Sequence, residues 1–373
     1  MIGLRKIKKK SKHIYISAIY CAATLLLAAL LLIAARMDGA FAEWYARHIF
    51  PIFPHTLGRL FSVLPFSVIE LLLLALIGGL ALALLSCLIL PFSRRARAWF
   101  NRWMHMAPPV LCCALCSLAL LFTLTCGINY SRASIAAYVG METGHFSVEE
   151  LRRLYHILNA QMAESITEIG TDADGYFLLQ EQPRRQATIA MQELGQRYGG
   201  LAGFYPNPKP VFFSQALSWL HITGVYSPFT VEASYNRDAP DSGIPFTICH
   251  ELAHLSGFMR EDEANFIGYL ACINSDNADF RYSGAFSALT YVLSALYKAM
   301  PQQEYRELYG ALPEQARRDL QQNAAYWQRF TGPAAQISQD VNNAYLKMND
   351  QPEGVASYGR MVDLLLAYYS GSH

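Results

Sequence analysis

The residues best suited to chemistry are two histidines and a glutamate in the run H-E-L-A-H, residues 250–254. Side chains four residues apart lie on the same face of a helix, so His250 and His254 can bind one metal ion. Glu251, one step round the helix, can take a proton from a water molecule on that ion. A lone histidine on an apolar face is more often a core residue, but this pair with its intervening glutamate favours a zinc site with a general base.

A catalytic zinc ion needs a third protein ligand and leaves a fourth position for water. Residues 250–257 read H-E-x-x-H-x-x-G, which resembles the metzincins, but their third histidine would fall at Arg260, which cannot be a ligand. The next run, E-D-E-A-N from Glu261 to Asn265, is similar to the second-helix motif E-x-x-A-[D/N] of gluzincins. It predicts Glu261 as the third ligand and leaves Glu263 open as the alternative.

A tight antiparallel hairpin of two helices, turning at Gly257, would bring these side chains together. In that hairpin Glu261 lies opposite His254, and Asn265 lies opposite His250. We therefore expect Asn265 to accept a hydrogen bond from the His250 imidazole and fix its tautomer.

An oxyanion that develops during peptide hydrolysis usually needs a hydrogen-bond donor besides the metal. Tyr282 and Arg281, in the run R-Y-S-G, are the first candidates, followed by His221 and Arg360. Side chains of these types are at least as often packing or bracing groups.

Three apolar stretches are long enough for helices that cross a bilayer, namely 14–35, 66–90 and 108–127. Glu70 is the one charge in the second stretch; near its start it can reach the membrane interface, so it is not expected to be a site residue. The first stretch is longer than a usual signal-peptide core. We therefore expect an uncleaved anchor rather than a signal peptide removed after residue 42.

The basic residues predict the orientation of these spans. Residues 1–13 and the loop from Arg94 to Arg102 are rich in Lys and Arg, which resist translocation, so both are expected in the cytoplasm. Three crossings then place residues 128–373 outside the cytoplasm. The chain is predicted to be a multi-pass protein of the cell membrane, with the lipid bilayer as a partner.

Residues 128–373 read as one domain of the α+β class, mainly α. Ser147 and Glu150 form a capping box that predicts a helix, and another is expected over 184–198. The segments 210–213 and 224–235 are rich in β-branched and aromatic residues and predict a small sheet. Further helices are expected at 245–257, 261–274, 286–299, 313–330, 335–348 and 358–369.

Two cysteines, Cys249 and Cys272, lie in this domain, and the other six lie in or beside the apolar stretches. The hairpin register places Cys272 opposite about residue 243, roughly 9 Å along the helix axis from Cys249. A disulfide between them is therefore not expected.

Residues 223–284, with C-H-E-L-A-H-L-S-G-F and E-D-E-A-N-F-I-G-Y-L-A-C, resemble a family of uncharacterised bacterial membrane proteins of the zincin type. The three N-terminal spans and the run S-Y-G-R-M-V-D-L-L-L from Ser357 fit the same family. The resemblance implies a zincin-like metallopeptidase domain with one Zn²⁺ per chain, acting on a peptide or protein substrate.

Two other classes of function are weighed against this one. A membrane-bound sensor or structural protein could hold zinc without catalysis, but a structural site has no use for Glu251. A transporter is disfavoured because the spans contain no broken helix. The formal net charge of +1 gives no basis for binding nucleic acid.

Overall fold

The computed structural model describes residues 2–89, 93–142, 144, 146–180, 182–349, 351 and 360–371, and of residues 2–13, 89, 96, 99, 102, 105 and 106 the backbone alone. The predicted end of the second span at residue 90 lies outside the described residues. So do Ser357 to Gly359 of the C-terminal motif.

The first third of the chain consists of helices and short connections. They are α1 (Ile2–Met37), α2 (Gly39–His48), α3 (Arg59–Ser62), α4 (Val68–Ile89) and α5 (Arg94–Thr125). By length and composition, three helical stretches could cross a membrane: Ile14–Met37, Val68–Leu88 and Ala107–Ser131. These stretches match the three predicted from the sequence. Helix α1 packs along α5, where the hydroxyl oxygens of Tyr20 and Ser117 are 2.7 Å apart.

The rest of the chain is mainly helical with two small sheets. The helices are α6 (Ile135–Val139), α7 (Val148–Ile166), α8 (Pro183–Arg197), α9 (Ser214–Trp219), α10 (Ile244–Leu255), α11 (Glu261–Ile273), α12 (Ala278–Ala299), α13 (Gln302–Gly310), α14 (Glu314–Gln328), α15 (Pro333–Met348) and α16 (Met361–Ser370). The strands are β1 (Gly170–Thr171), β2 (Phe177–Leu178), β3 (Lys209–Pro210), β4 (Gly224–Ser227) and β5 (Glu232–Tyr235). Strands β1 and β2 form an antiparallel pair. The other sheet has the order β3-β5-β4, with β3 parallel and β4 antiparallel to β5.

Most predicted elements of this region are present. The capping box of Ser147 and Glu150 begins α7, with both reciprocal hydrogen bonds formed. One helix begins earlier than predicted: α12 starts at Ala278 rather than near residue 286, because the Asn277 side chain accepts a hydrogen bond from Phe280 N and caps it. The sequence did not predict helices α6, α9 and α13 or the β1–β2 pair.

The core surrounds the helices that carry the candidate site. Helix α10 packs against α11, α8 and β5, and α12 packs against α7 and α11. Side chains between them, such as Leu252, Phe266 and Leu289, have no exposed surface. Burying a side chain of this size contributes about 2 kcal/mol, so the surroundings hold α10 and α11 firmly.

Two carboxylates, one on the domain and one on α4, hold the start of α4 against the domain. Glu232 on β5 accepts hydrogen bonds of 3.2 Å from the backbone N–H groups of Val68 and Ile69 in the first turn of α4. Glu70, in that same turn, accepts hydrogen bonds from Phe212 N and Phe213 N, at 2.9 and 2.8 Å. Glu70 therefore joins the helix to the domain, in agreement with its predicted place outside the site.

The domain also contacts the ends of the other two apolar helices. The Tyr226 hydroxyl of β4 donates to Thr125 O at the end of α5, at 3.2 Å. The Arg36 guanidinium near the end of α1 donates to Met348 O at the end of α15, at 3.0 Å. One end of each apolar helix is thus bound to the same domain.

Candidate metal centre

Helix α10 carries both histidines on one face, as their spacing predicts. The Nε2 atoms of His250 and His254 are 3.0 Å apart, and the two rings meet edge to face with centroids 4.6 Å apart. His254 is 7 % exposed and the His250 side chain 13 %, so the pair lies in a largely closed site.

The turn after α10 sends the chain back past these rings. Gly257 has a φ of +94°, a left-handed backbone conformation that residues other than glycine rarely adopt. The Arg132 guanidinium donates to Ser256 O at 3.1 Å and lies over the Phe258 ring, 3.9 Å from its centroid. This bracing fixes the turn, and the predicted helical hairpin through Gly257 is present.

Helix α11 begins at Glu261, whose carboxylate reaches both histidines. Glu261 Oε2 lies 3.3 Å from His250 Nε2 and 3.7 Å from His254 Nε2. The three side chains can present ligand atoms that all lie within 4.8 Å of one another. The structure therefore brings together the three residues predicted as metal ligands.

The electrostatics of the cluster favour a positive charge at its centre. Burial opposes ionisation of Glu261, but the neighbouring His254 and His250 hold the pKa of Glu261 well below its usual range. Burial alone would lower the pKa of His254, yet Glu261 outweighs burial and raises it to about 9. The carboxylate is therefore charged, and a proton or another cation is attracted to the imidazoles.

The donor set fits a zinc ion. His254 Nδ1 lies 2.8 Å from Phe258 O, so Nδ1 is the donor in that hydrogen bond and the lone pair of Nε2 faces the cluster. Tetrahedral zinc with bonds of about 2.0–2.1 Å holds its ligand atoms roughly 3.3 Å apart, close to the separations found here. Two imidazole nitrogens and one carboxylate oxygen also match the ligands of catalytic zinc.

Glu251 lies beside this cluster and has a different environment. It is 4 % exposed and packs against Gly224 of β4, where an added Cβ would come within 2.5 Å of Glu251 Oε1. Burial raises the pKa of Glu251 to about 7, although the histidines and the backbone N–H of Tyr226 favour its ionised form. A carboxyl group with this pKa can both accept and return a proton near neutral pH.

Glu263, the alternative ligand, contacts other residues than Glu261 does. Its Oε1 accepts hydrogen bonds from Ile135 N at 2.9 Å and from the Arg260 guanidinium at 2.7 Å. It belongs to no group of described side chains that could hold a metal ion. The geometry therefore favours Glu261 over Glu263.

The predicted hydrogen bond from His250 to Asn265 is wrong. His250 Nδ1 is buried without a hydrogen-bond partner, and the Asn265 side chain lies within reach of the Tyr291 hydroxyl instead. The reason is the register of the helices: Gly268 is the residue that approaches the His250 backbone, and an added Cβ there would lie 3.1 Å from His250 N. The absence of a side chain at Gly268 lets α11 cross α10 at this point instead of opposite Asn265.

The same register corrects the expected separation of the two cysteines. Cys249 and Cys272 are buried free thiols, and they lie close enough to interact. Burial and the neighbouring Cys249 raise the pKa of Cys272 well above its usual value. The thiols are neighbours in the core rather than offset along the hairpin.

The residues named as oxyanion donors have other partners. The Tyr282 hydroxyl donates to Asp319 Oδ2 at 2.5 Å, and its ring stacks on Phe177 in the core. Arg281 donates to Ser275 O and Asp276 O and pairs with Glu168. Both side chains therefore have packing or bracing contacts, the alternative to an oxyanion role that the sequence left open.

The two weaker candidates also serve other contacts. His221 Nε2 lies 3.2 Å from Phe330 O, and the Arg360 guanidinium lies 3.2 Å from a carboxylate oxygen of Asp262.

Two tyrosines near the cluster were not found from the sequence. The Tyr226 ring lies 6.4 Å from the His254 ring. Tyr291 on α12 lies close enough to Glu261 and Asn265 for both to affect its hydroxyl, whose pKa is raised by burial first and by Glu261 second. No spacing motif links either tyrosine to residues 250–261, so only the packing of β4 and α12 brings them there.

The chain belongs to the family described as protein of unknown function DUF3810, whose model matches residues 45–366. No curated protein and no solved structure matches the chain.

Proposed function

We propose that this protein is a membrane-anchored zinc metallopeptidase of the gluzincin type. The observation that carries the proposal is the meeting of His250, His254 and Glu261 around one point, with the buried carboxyl group of Glu251 beside them. Three ligands leave one coordination position for water, which is the composition of a catalytic zinc site.

Each residue has a distinct task in the proposed reaction. His250, His254 and Glu261 would hold one zinc ion, which would supply a Lewis acid and lower the pKa of a water molecule toward about 7. Glu251 accepts the proton of the attacking water and returns it to the leaving amine. Its carboxyl group is buried and lies beside the ligand cluster, where it can serve both transfers.

The sheet beside α10 offers a place for the substrate backbone. Among the described residues, strand β4 pairs with β5 on one side only, and its residues Gly224 and Tyr226 lie next to Glu251. An extended peptide could pair with the other edge of β4 by backbone hydrogen bonds. Its scissile bond would then lie near the general base.

The proposed topology follows from the charges beside the three apolar helices. The basic residues of 1–13 and Arg94, Arg95 and Arg97 favour a cytoplasmic location for those segments. The domain from residue 128 onward would then lie outside the cytoplasm, with its substrates.

The alternative is a sensor or structural protein whose zinc only joins α10 to α11. A closed structural site normally has four protein ligands, whereas the cluster among the described side chains has three. Burying the Glu251 carboxyl group also costs stability, which a purely structural site would have no reason to sustain.

Replacing the general base tests the proposal. We expect Glu251→Gln to abolish cleavage of dye-labelled casein, by at least about a thousandfold, while the variant keeps its zinc. The matched control is Glu149→Gln on α7, since the Glu149 side chain is 80 % exposed and pairs with Arg152 rather than with a residue of the cluster. Cleavage by Glu251→Gln at the wild-type rate would contradict the proposed mechanism.

A further inference from the structure

The candidate metal centre lies at the end of an apolar helix. Met259, in the turn between the ligand helices, has its sulfur 3.7 Å from the Cys126 sulfur, one residue after α5. Tyr226 connects the same helix end to the site, since its hydroxyl binds Thr125 O and its ring lies beside His254. One side chain therefore separates the end of α5 from a proposed zinc ligand.

The length of α5 fixes the depth of this contact in a bilayer. From Ala107 to Thr125 the helix rises roughly 28 Å, close to the thickness of about 30 Å of a hydrocarbon core. Thr125 then lies at the boundary between acyl chains and headgroups. The metal centre beside it lies at the level of the headgroups.

Helix α15 presents an apolar stripe at the same level. Ile337, Val341 and Met348 are 63, 64 and 70 % exposed, and their spacing places them on one face of the helix. The stripe continues the apolar surface of the spans, because Arg36 of α1 donates to Met348 O and Tyr345 of α15 packs on α5. Such a face, joined to the ends of two spans, fits the outer part of a lipid leaflet.

The strand proposed to bind substrate also lies at this boundary. Tyr226 of β4 contacts the end of α5, and β5 beside it binds the first turn of α4 through Glu232. A peptide on β4 would therefore lie beside the ends of α4 and α5, close to the membrane surface. A soluble folded protein would have to bring its cleavage site into the headgroup layer, whereas a segment that emerges from the bilayer is already there.

We propose that the substrates are membrane-anchored polypeptides, cut in the segment that directly follows their anchor. The proposal rests on the peptidase function above and specifies its substrate class. Anchoring in the same bilayer keeps the segment near β4 at a high effective concentration. Distance from the membrane, rather than an extended sequence motif, would then select the bond.

The test is a degenerate peptide library carrying a C-terminal diacyl anchor. Peptides of roughly 20 residues reach about 65 Å from the surface when extended, so they offer bonds at every height. The full-length zinc-loaded protein is placed in nanodiscs of phosphatidylethanolamine and phosphatidylglycerol together with this library, and mass spectrometry locates the cuts. The same library without an anchor and the Glu251→Gln variant are the controls.

We expect cuts within about six residues of the anchor, or about 20 Å of extended chain, and at least tenfold faster cleavage than of the free library. Cuts spread evenly along the peptides, with equal rates for both libraries, would overturn this proposal and leave the peptidase in place. No cleavage of either library by the zinc-loaded wild type would overturn the proposed function as well.

Discussion

At the scale of single residues, the contrast between Glu261 and Glu263 is the most informative. They are two positions apart on α11, so their side chains point about 200° apart around the helix. Glu261 meets the two histidines, while Glu263 holds Arg260 and the backbone N–H of Ile135. The sequence could offer both as ligands because spacing alone does not reveal which side of α11 faces α10.

Glu263→Ala should therefore reduce stability and leave zinc binding intact. The change leaves the Ile135 N–H and the partly buried Arg260 guanidinium without their acceptor, which costs about 2–3 kcal/mol of unfolding free energy. Thermal denaturation of the metal-free protein in detergent would measure the loss. An unchanged midpoint, or loss of zinc from a variant that stays folded, would contradict the assignment of Glu263.

The sequence predicted that His250, His254 and Glu261 come together, because the two histidines share a helix face and a short turn leads to Glu261. It did not predict the partners of Asn265, Tyr282 and Arg281, whose contacts depend on how helices cross. Gly268 set the crossing, and Asp319 from α14 bound Tyr282. Neither effect appears in a local pattern.

At the scale of elements, the contact between β4 and α10 positions Glu251, the proposed general base. Gly224 lies against Glu251 and Thr247, and a Cβ at Gly224 would come within 2.8 Å of the Thr247 methyl carbon. Strand and helix approach this closely only because residue 224 has no side chain.

Gly224→Ala is expected to displace Glu251 and slow peptide cleavage by about ten- to a hundredfold without loss of zinc. The matched control is Gly243→Ala, just before α10, where an added Cβ would meet nothing within 4 Å. Initial rates and zinc content of both variants provide the measurement. Equal activity of the two variants would show that the position of β4 does not control the base.

At the scale of the whole molecule, the composition and length of the apolar stretches were enough to predict the three apolar helices. Composition could not predict that the candidate metal centre lies at their end, since that depends on Tyr226, Met259 and Arg36 meeting distant partners. Only this placement indicates that the exposed apolar stripe of α15 contacts lipid.

The placement predicts which residues of α15 contact lipid. We expect the tryptophan of Ile337→Trp to be quenched by brominated acyl chains in nanodiscs, and that of Gln339→Trp, on another face, to be little affected. Subtracting wild-type fluorescence removes the contribution of the five native tryptophans. Equal quenching of the two variants would contradict the proposed depth of α15.

The central claim is a zinc ion held by His250, His254 and Glu261, and its most direct test is zinc stoichiometry by mass spectrometry. The measurement compares the purified wild type with Glu261→Gln and Glu263→Gln after expression with sufficient zinc. We predict one zinc per chain in the wild type and in Glu263→Gln. In Glu261→Gln we predict clearly less than one, because the zinc affinity falls by about 10- to 100-fold or more. A zinc-free wild type, or loss of zinc in folded Glu263→Gln with retention in Glu261→Gln, would contradict this account.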